Sequence, residues 1–73
     1  MHHQVSSRTQ QQAFIAMQIH MMPHDYRKTG DAEEEIIVRL VSKFGKPHDG
    51  NTDWWRHDIR RLQGRRKNVY IRG

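Results

Sequence analysis

The residues with most capacity for chemistry lie at the C-terminal end of the sequence. Arg56, Arg60, Arg61, Arg65, Arg66, Lys67 and Arg72 fall among the last 21 residues, against two acids, Asp53 and Asp58. The 52 residues before them carry six basic and six acidic side chains, so the whole formal excess of +5 sits in this stretch. Six of the seven cations are arginine. A guanidinium presents a planar fork of donors that matches a phosphate, or the O6/N7 edge of guanine, in a way an ammonium cannot. A surface that is merely solvated more often mixes signs and draws on lysine and glutamate. The pattern therefore points to nucleic acid, with a protein-docking patch as the competing reading.

Other residue types join this set. His57 and Gln63 sit among the arginines, and Tyr70 beside Arg72 can stack on a base. Trp54 borders the same region; it can close the core, stack on a base, or anchor a protein partner. Phe14, Met17 and Met21 give the N-terminal half more apolar helix face than so small a core needs. They are candidates for a protein interface, including a homodimer.

Six histidines invite a metal or catalytic reading, but their spacing supplies neither. His20 and His24 have an i, i+4 separation with Pro23 between them, which breaks the helical geometry. His48-Asp49 and His57-Asp58 are adjacent pairs, and adjacent side chains on a helix do not face each other. Met1-His2-His3 would bind copper or nickel as any chain beginning this way does, a property incidental to function. A nuclease would need an acid and a base converging on one phosphate, and no spacing here forces such a pair together. The sequence predicts no enzyme, no cofactor and no metal site.

Composition sets the frame for these groups. With 73 residues there is room for one small domain, which buries only about 60% of the surface of its unfolded chain. There is no cysteine, so neither a disulfide nor a thiolate zinc site can staple it. The longest apolar stretches, residues 13–17 and 36–38, fall far short of the ~20 residues that span a bilayer. No membrane association and a cytoplasmic location are expected.

Three helices are expected to position the basic residues. Residues 1–8 read as a flexible tail, followed by a single domain over 9–73 whose basic part is 52–73. Ser7 or Thr9 caps a first helix that runs to about Met22, where Pro23 ends or bends it. On it Phe14, Met17 and Met21 share a face, with Ile15, Ile19 and Met22 beside them. Pro23 to Gly30 reads as loop. Asp31 opens a second helix with Glu33, Glu34 and Glu35 in its first turn, favoured there by the helix dipole. Its apolar positions, Ile37, Leu40, Val41 and Phe44, follow the spacing of a buried face. The β-branched run Ile36-Ile37-Val38 is the argument for a strand instead.

After a loop over 45–51, Thr52 or Asn51 caps a third helix that Gly64 ends. Trp55, Ile59 and Leu62 fall on one arc and read as core, while Asp53, Arg56, His57, Arg60 and Arg61 fall opposite. A basic turn then leads to Val69-Tyr70-Ile71-Arg72, a short strand by composition.

This order over residues 31–73 resembles the outline of a winged helix-turn-helix. It departs in the seven-residue connection before the basic helix and in the missing partner for the strand. The resemblance implies a last helix in the major groove and a basic turn on neighbouring phosphates. The fold class expected is mainly α, about three helices with a short C-terminal β element. The function expected is a small nucleic-acid-binding regulator or accessory protein, with DNA favoured over RNA and a size common in phages and mobile elements. The alternative is a small inhibitor or adaptor that binds a nucleic-acid-processing protein.

Overall fold

The computed structural model describes residues 6–47 and 52–65. It contains three α-helices, α1 (Ser7–Met21), α2 (Gly30–Phe44) and α3 (Asp53–Gln63), with a short 3-10 turn at Tyr26–Lys28. Each of the three helices packs on the other two. There is no strand among the described residues, and the strand expected over 69–72 lies outside them.

The cap of α1 is Ser6 rather than Ser7 or Thr9, and Ser7 and Arg8 lie in the first turn of the helix. The Ser6 hydroxyl accepts from the Thr9 backbone N–H at 3.1 Å, and so satisfies one of the donors a helix start leaves open. At the other end Met22 is extended (φ −84°, ψ 152°), the geometry that a following proline imposes. Pro23 therefore ends the helix rather than bending it. The carbonyls left open there are covered by Arg27, whose Nη2 donates to His20 O at 3.1 Å and Met22 O at 3.0 Å.

The cap of α2 is Thr29, and the helix opens at Gly30 rather than Asp31. The Thr29 hydroxyl donates to Tyr26 O at 2.8 Å and accepts from Ala32 N–H at 3.1 Å, joining the 3-10 turn to the helix. The Ile36-Ile37-Val38 run is helical throughout. Gly45, with φ of 85°, ends the helix at the expected place.

The core is formed by Ile15, Ile19, Met22, Ala32, Ile36, Ile37, Leu40, Trp55 and Ile59. Two expectations about faces change here. The broad stripe of α1 resolves to the side bearing Ile15, Gln18, Ile19 and Met22, while Met17 and Met21 are 56% and 69% exposed. Phe14 lies between these sides, half-buried and edge-on to Phe44 at 5.6 Å. On α3, Trp55 and Ile59 are buried as expected but Leu62 is 39% exposed. The last turn instead buries Gln63, whose Nε2 donates to Arg27 O at 2.8 Å and Thr29 O at 3.0 Å. An amide at this position can donate to both carbonyls of the α1–α2 connection, and a leucine can donate to neither.

Trp55 also carries a polar tie across the α1–α3 contact. Its indole N–H donates to Gln11 Oε1 at 2.7 Å. Trp54 remains half-buried at the margin of the core, with the Arg8 guanidinium 4.1 Å above its ring. Its role as a core lid is thus combined with a cation–aromatic contact from α1.

Candidate nucleic-acid interface

The basic residues of α3 are organised by a carboxylate that the sequence hides. Glu33 stands one turn before Ile36 and Ile37 on the buried side of α2 and is only 2% exposed. Arg60 grips it with two bonds, Nε to Oε1 at 2.8 Å and Nη2 to Oε2 at 3.0 Å. Arg56 donates through Nη1 to Oε2 at 2.7 Å, and Arg65 through Nη1 to Oε1 at 3.2 Å. Three guanidinium groups therefore converge on one buried anion. Burial would raise the Glu33 carboxyl, but hydrogen bonds from Arg60 and Arg56, and their charges, hold it below the ordinary carboxylate range.

Arg56 has a second partner. Its Nη1 and Nη2 donate to Glu34 Oε2 at 2.6 Å and Oε1 at 3.3 Å, and that hydrogen bonding holds the Glu34 carboxyl down as well. Arg56 was expected on the solvent face with Arg60; it is turned to the flank of α2 and half-buried. The cause is the pair of acids at 33 and 34, which lie one turn into a helix packed beside it.

Arg65 reaches Glu33 because of how α3 ends. Gly64 is left-handed (φ 77°), with its N–H on Arg61 O at 3.2 Å and the Arg65 N–H on Arg60 O at 2.8 Å. This paired closure turns the chain back along α2. Arg65 then meets Thr29 O at 3.4 Å and Gln63 Oε1 at 2.8 Å in addition to Glu33.

The solvent side of α3 carries the rest. His57, Arg60 and Arg61 are exposed in consecutive turns, with the side chains of Arg60 and Arg61 about half accessible (50% and 51%). Arg61 donates to Asp58 Oδ1 at 2.7 Å, so Asp58 orients it rather than opposing it from solvent. Asp58 itself is buried, and its Oδ2 has no hydrogen-bond partner among the described residues.

Of the candidate binding residues, Arg56, His57, Arg60, Arg61 and Arg65 are thus gathered on α3 and its closing turn, and Gln63 is committed to the fold. Arg66, Lys67, Tyr70 and Arg72 lie outside the described residues. Of the protein-interface candidates, Met17 and Met21 are exposed one turn apart, while Phe14 and Trp54 are largely used within the fold. Among the described residues there is no group of three or more histidines and acids able to hold a metal ion. No helix among them is long and apolar enough to cross a membrane.

Glu33 is the residue that sequence reasoning missed. Its place in the first turn of α2 suits the helix dipole, but it is also in phase with Ile36, Ile37 and Leu40 on the buried stripe. A carboxylate in that phase needs cations from a neighbouring element. Comparison of the chain with known protein families, with curated proteins and with solved structures finds no match.

Proposed function

We propose that the chain is a small nucleic-acid-binding regulator or accessory protein that engages duplex DNA through α3 and the basic residues after it. The observation that carries this reading is the fixed placement of half-exposed guanidinium groups on α3. Arg60 uses Nε and Nη2 on Glu33, which leaves its Nη1 without a partner among the described residues. Arg61 is held by Asp58 through a single Nη2 contact. Each is oriented before any ligand arrives, so less rotamer entropy is lost when a phosphate takes the remaining donors.

An 11-residue helix with exposed His57, Arg60 and Arg61 suits the B-form major groove, whereas A-form RNA offers a groove too narrow for it. In this reading Arg65, Arg66, Lys67 and Arg72 grip the backbone, and Tyr70 belongs to a short strand in a winged helix-turn-helix-like outline. Arg56 and Gln63 support the surface rather than reading bases. A cytoplasmic place of action accompanies the proposal.

The test is a mobility-shift titration against duplex DNA, single strands and structured RNA across salt concentrations. Contact with about five phosphates gives a log–log salt slope of about −4 to −5. Absence of binding at 50 mM salt, or affinity unchanged up to 300 mM, would refute the reading.

A second reading, a protein-binding adaptor or inhibitor, is favoured by the exposure of Met17 and Met21 on α1. Replacing both by Glu separates the two: DNA binding survives the change if α3 is the contact surface, and a protein partner is lost if α1 is.

A further inference from the structure

Arg56 and Arg60 share the Glu33 anchor but differ in which edge of the guanidinium is taken. Arg60 commits its Nε–Nη2 edge, and its Nη1 remains without a partner among the described residues. Arg56 gives Nη1 to Glu33, and its Nη1–Nη2 edge is then covered by both oxygens of Glu34. That edge is one of the two with which a guanidinium can grip a phosphate in a fork. The Glu34 side chain is itself 63% exposed, so the pair is open to solvent on that side. Buried Glu33 gives Arg56 a separate anchor, Nη1 to Oε2 at 2.7 Å.

Resting on the nucleic-acid reading above, we infer that Glu34 is an affinity-setting residue that occupies the phosphate position on Arg56. Nucleic acid binds the wild-type chain through the open donors of Arg60 and its neighbours. It gains Arg56 only where a phosphate displaces the Glu34 carboxylate. Contact at this point is therefore conditional, which weakens binding to backbones that do not place a phosphate there.

The experiment compares the full chain with Glu34→Gln, Asp31→Asn and Arg56→Ala, and with Glu34→Gln in the Arg56→Ala background, on one short DNA duplex over a salt series. Asp31 is an exposed acid on the same helix, so its replacement changes net charge equally without freeing a guanidinium. Glu34→Gln is expected to tighten binding about three- to tenfold and to steepen the salt slope by about 0.9, the value of one added phosphate contact. Asp31→Asn is expected to give less than twofold and no change in slope. In the Arg56→Ala background Glu34→Gln falls to the level of Asp31→Asn. Equal effects of Glu34→Gln and Asp31→Asn, or a Glu34→Gln effect that persists without Arg56, overturn the inference while the nucleic-acid reading stands. No binding by any variant at 50 mM salt overturns both.

Discussion

Arg60 and Glu33 form a two-bond clasp, Nε to Oε1 and Nη2 to Oε2, between a half-exposed cation on α3 and a buried anion on α2. The clasp ties the fold to the proposed function, because the same side chain that pins two helices together is half-exposed to solvent. Arg56 and Arg65 complete the arrangement from either side of Arg60. A buried carboxylate is tolerated only where such partners are supplied, and here they come from a different helix.

Glu33→Gln removes the anion but keeps the shape. The three arginines lose their shared partner and retain only neutral or peripheral ones. A loss of about 2–4 kcal/mol in unfolding free energy is expected, somewhat below the ~3–5 kcal/mol for breaking a fully buried pair because the arginines left behind are partly solvated. Urea denaturation checks it, with a lower midpoint and an unchanged slope. Stability equal to wild type would mean that Glu33 is not the hub.

Acid should act through the same group. Glu33 and Glu34 both titrate below their ordinary value of 4.5 in the folded chain. The unfolded chain therefore takes up protons first on acidification, and the stability these groups confer is present above that value. It is lost as pH falls through their folded values. The thermal midpoint should decline below about pH 4.5, and more gently for Glu33→Gln. Melting curves from pH 6 to pH 2.5 decide this; parallel declines for the two proteins would contradict it.

Gln11 and Trp55 provide a test of the α1–α3 contact. Gln11→Leu leaves a buried indole N–H without an acceptor, a change expected to cost about 1–3 kcal/mol. The same variant also loses the Gln11 bond to the Ser7 hydroxyl, which is exposed and contributes little. Denaturation followed by tryptophan emission measures the loss.

The closing turn of α3 is open to a similar test. A Cβ at Gly64 meets no atom within 4 Å, so Gly64→Ala is penalised only by its left-handed backbone. The expected cost is about 1–2 kcal/mol, with Gly64→Asn milder. If Arg65 depends on this turn to reach Glu33, Gly64→Ala also weakens DNA binding, whereas Leu62→Ala does not.

Much of this architecture was legible in the residues. Trp55 and Ile59 repeat at helical spacing, and Ile37 and Leu40 do the same, so the helices and their stops at Pro23, Gly45 and Gly64 could be placed. What eluded the sequence was pairing between helices. Periodicity marks Leu62 as core, yet the last turn follows the carbonyls at Arg27 and Thr29 and turns Gln63 inward to donate to both. A helical wheel likewise puts Arg56 about 100° from Trp55, off the core stripe, but it holds no information about the acids on the helix next door. The wheel located the basic face; only the packing of α2 divided it into anchored and open donors.

The most direct measurement is a backbone-amide NMR titration of the ¹⁵N-labelled chain with a short DNA duplex at 50 mM salt. The account predicts shifts concentrated at His57, Arg60, Arg61, Gly64 and Arg65 and in the basic residues that follow, with Met17 and Met21 unchanged. Shifts confined to α1, or none at all, would contradict it.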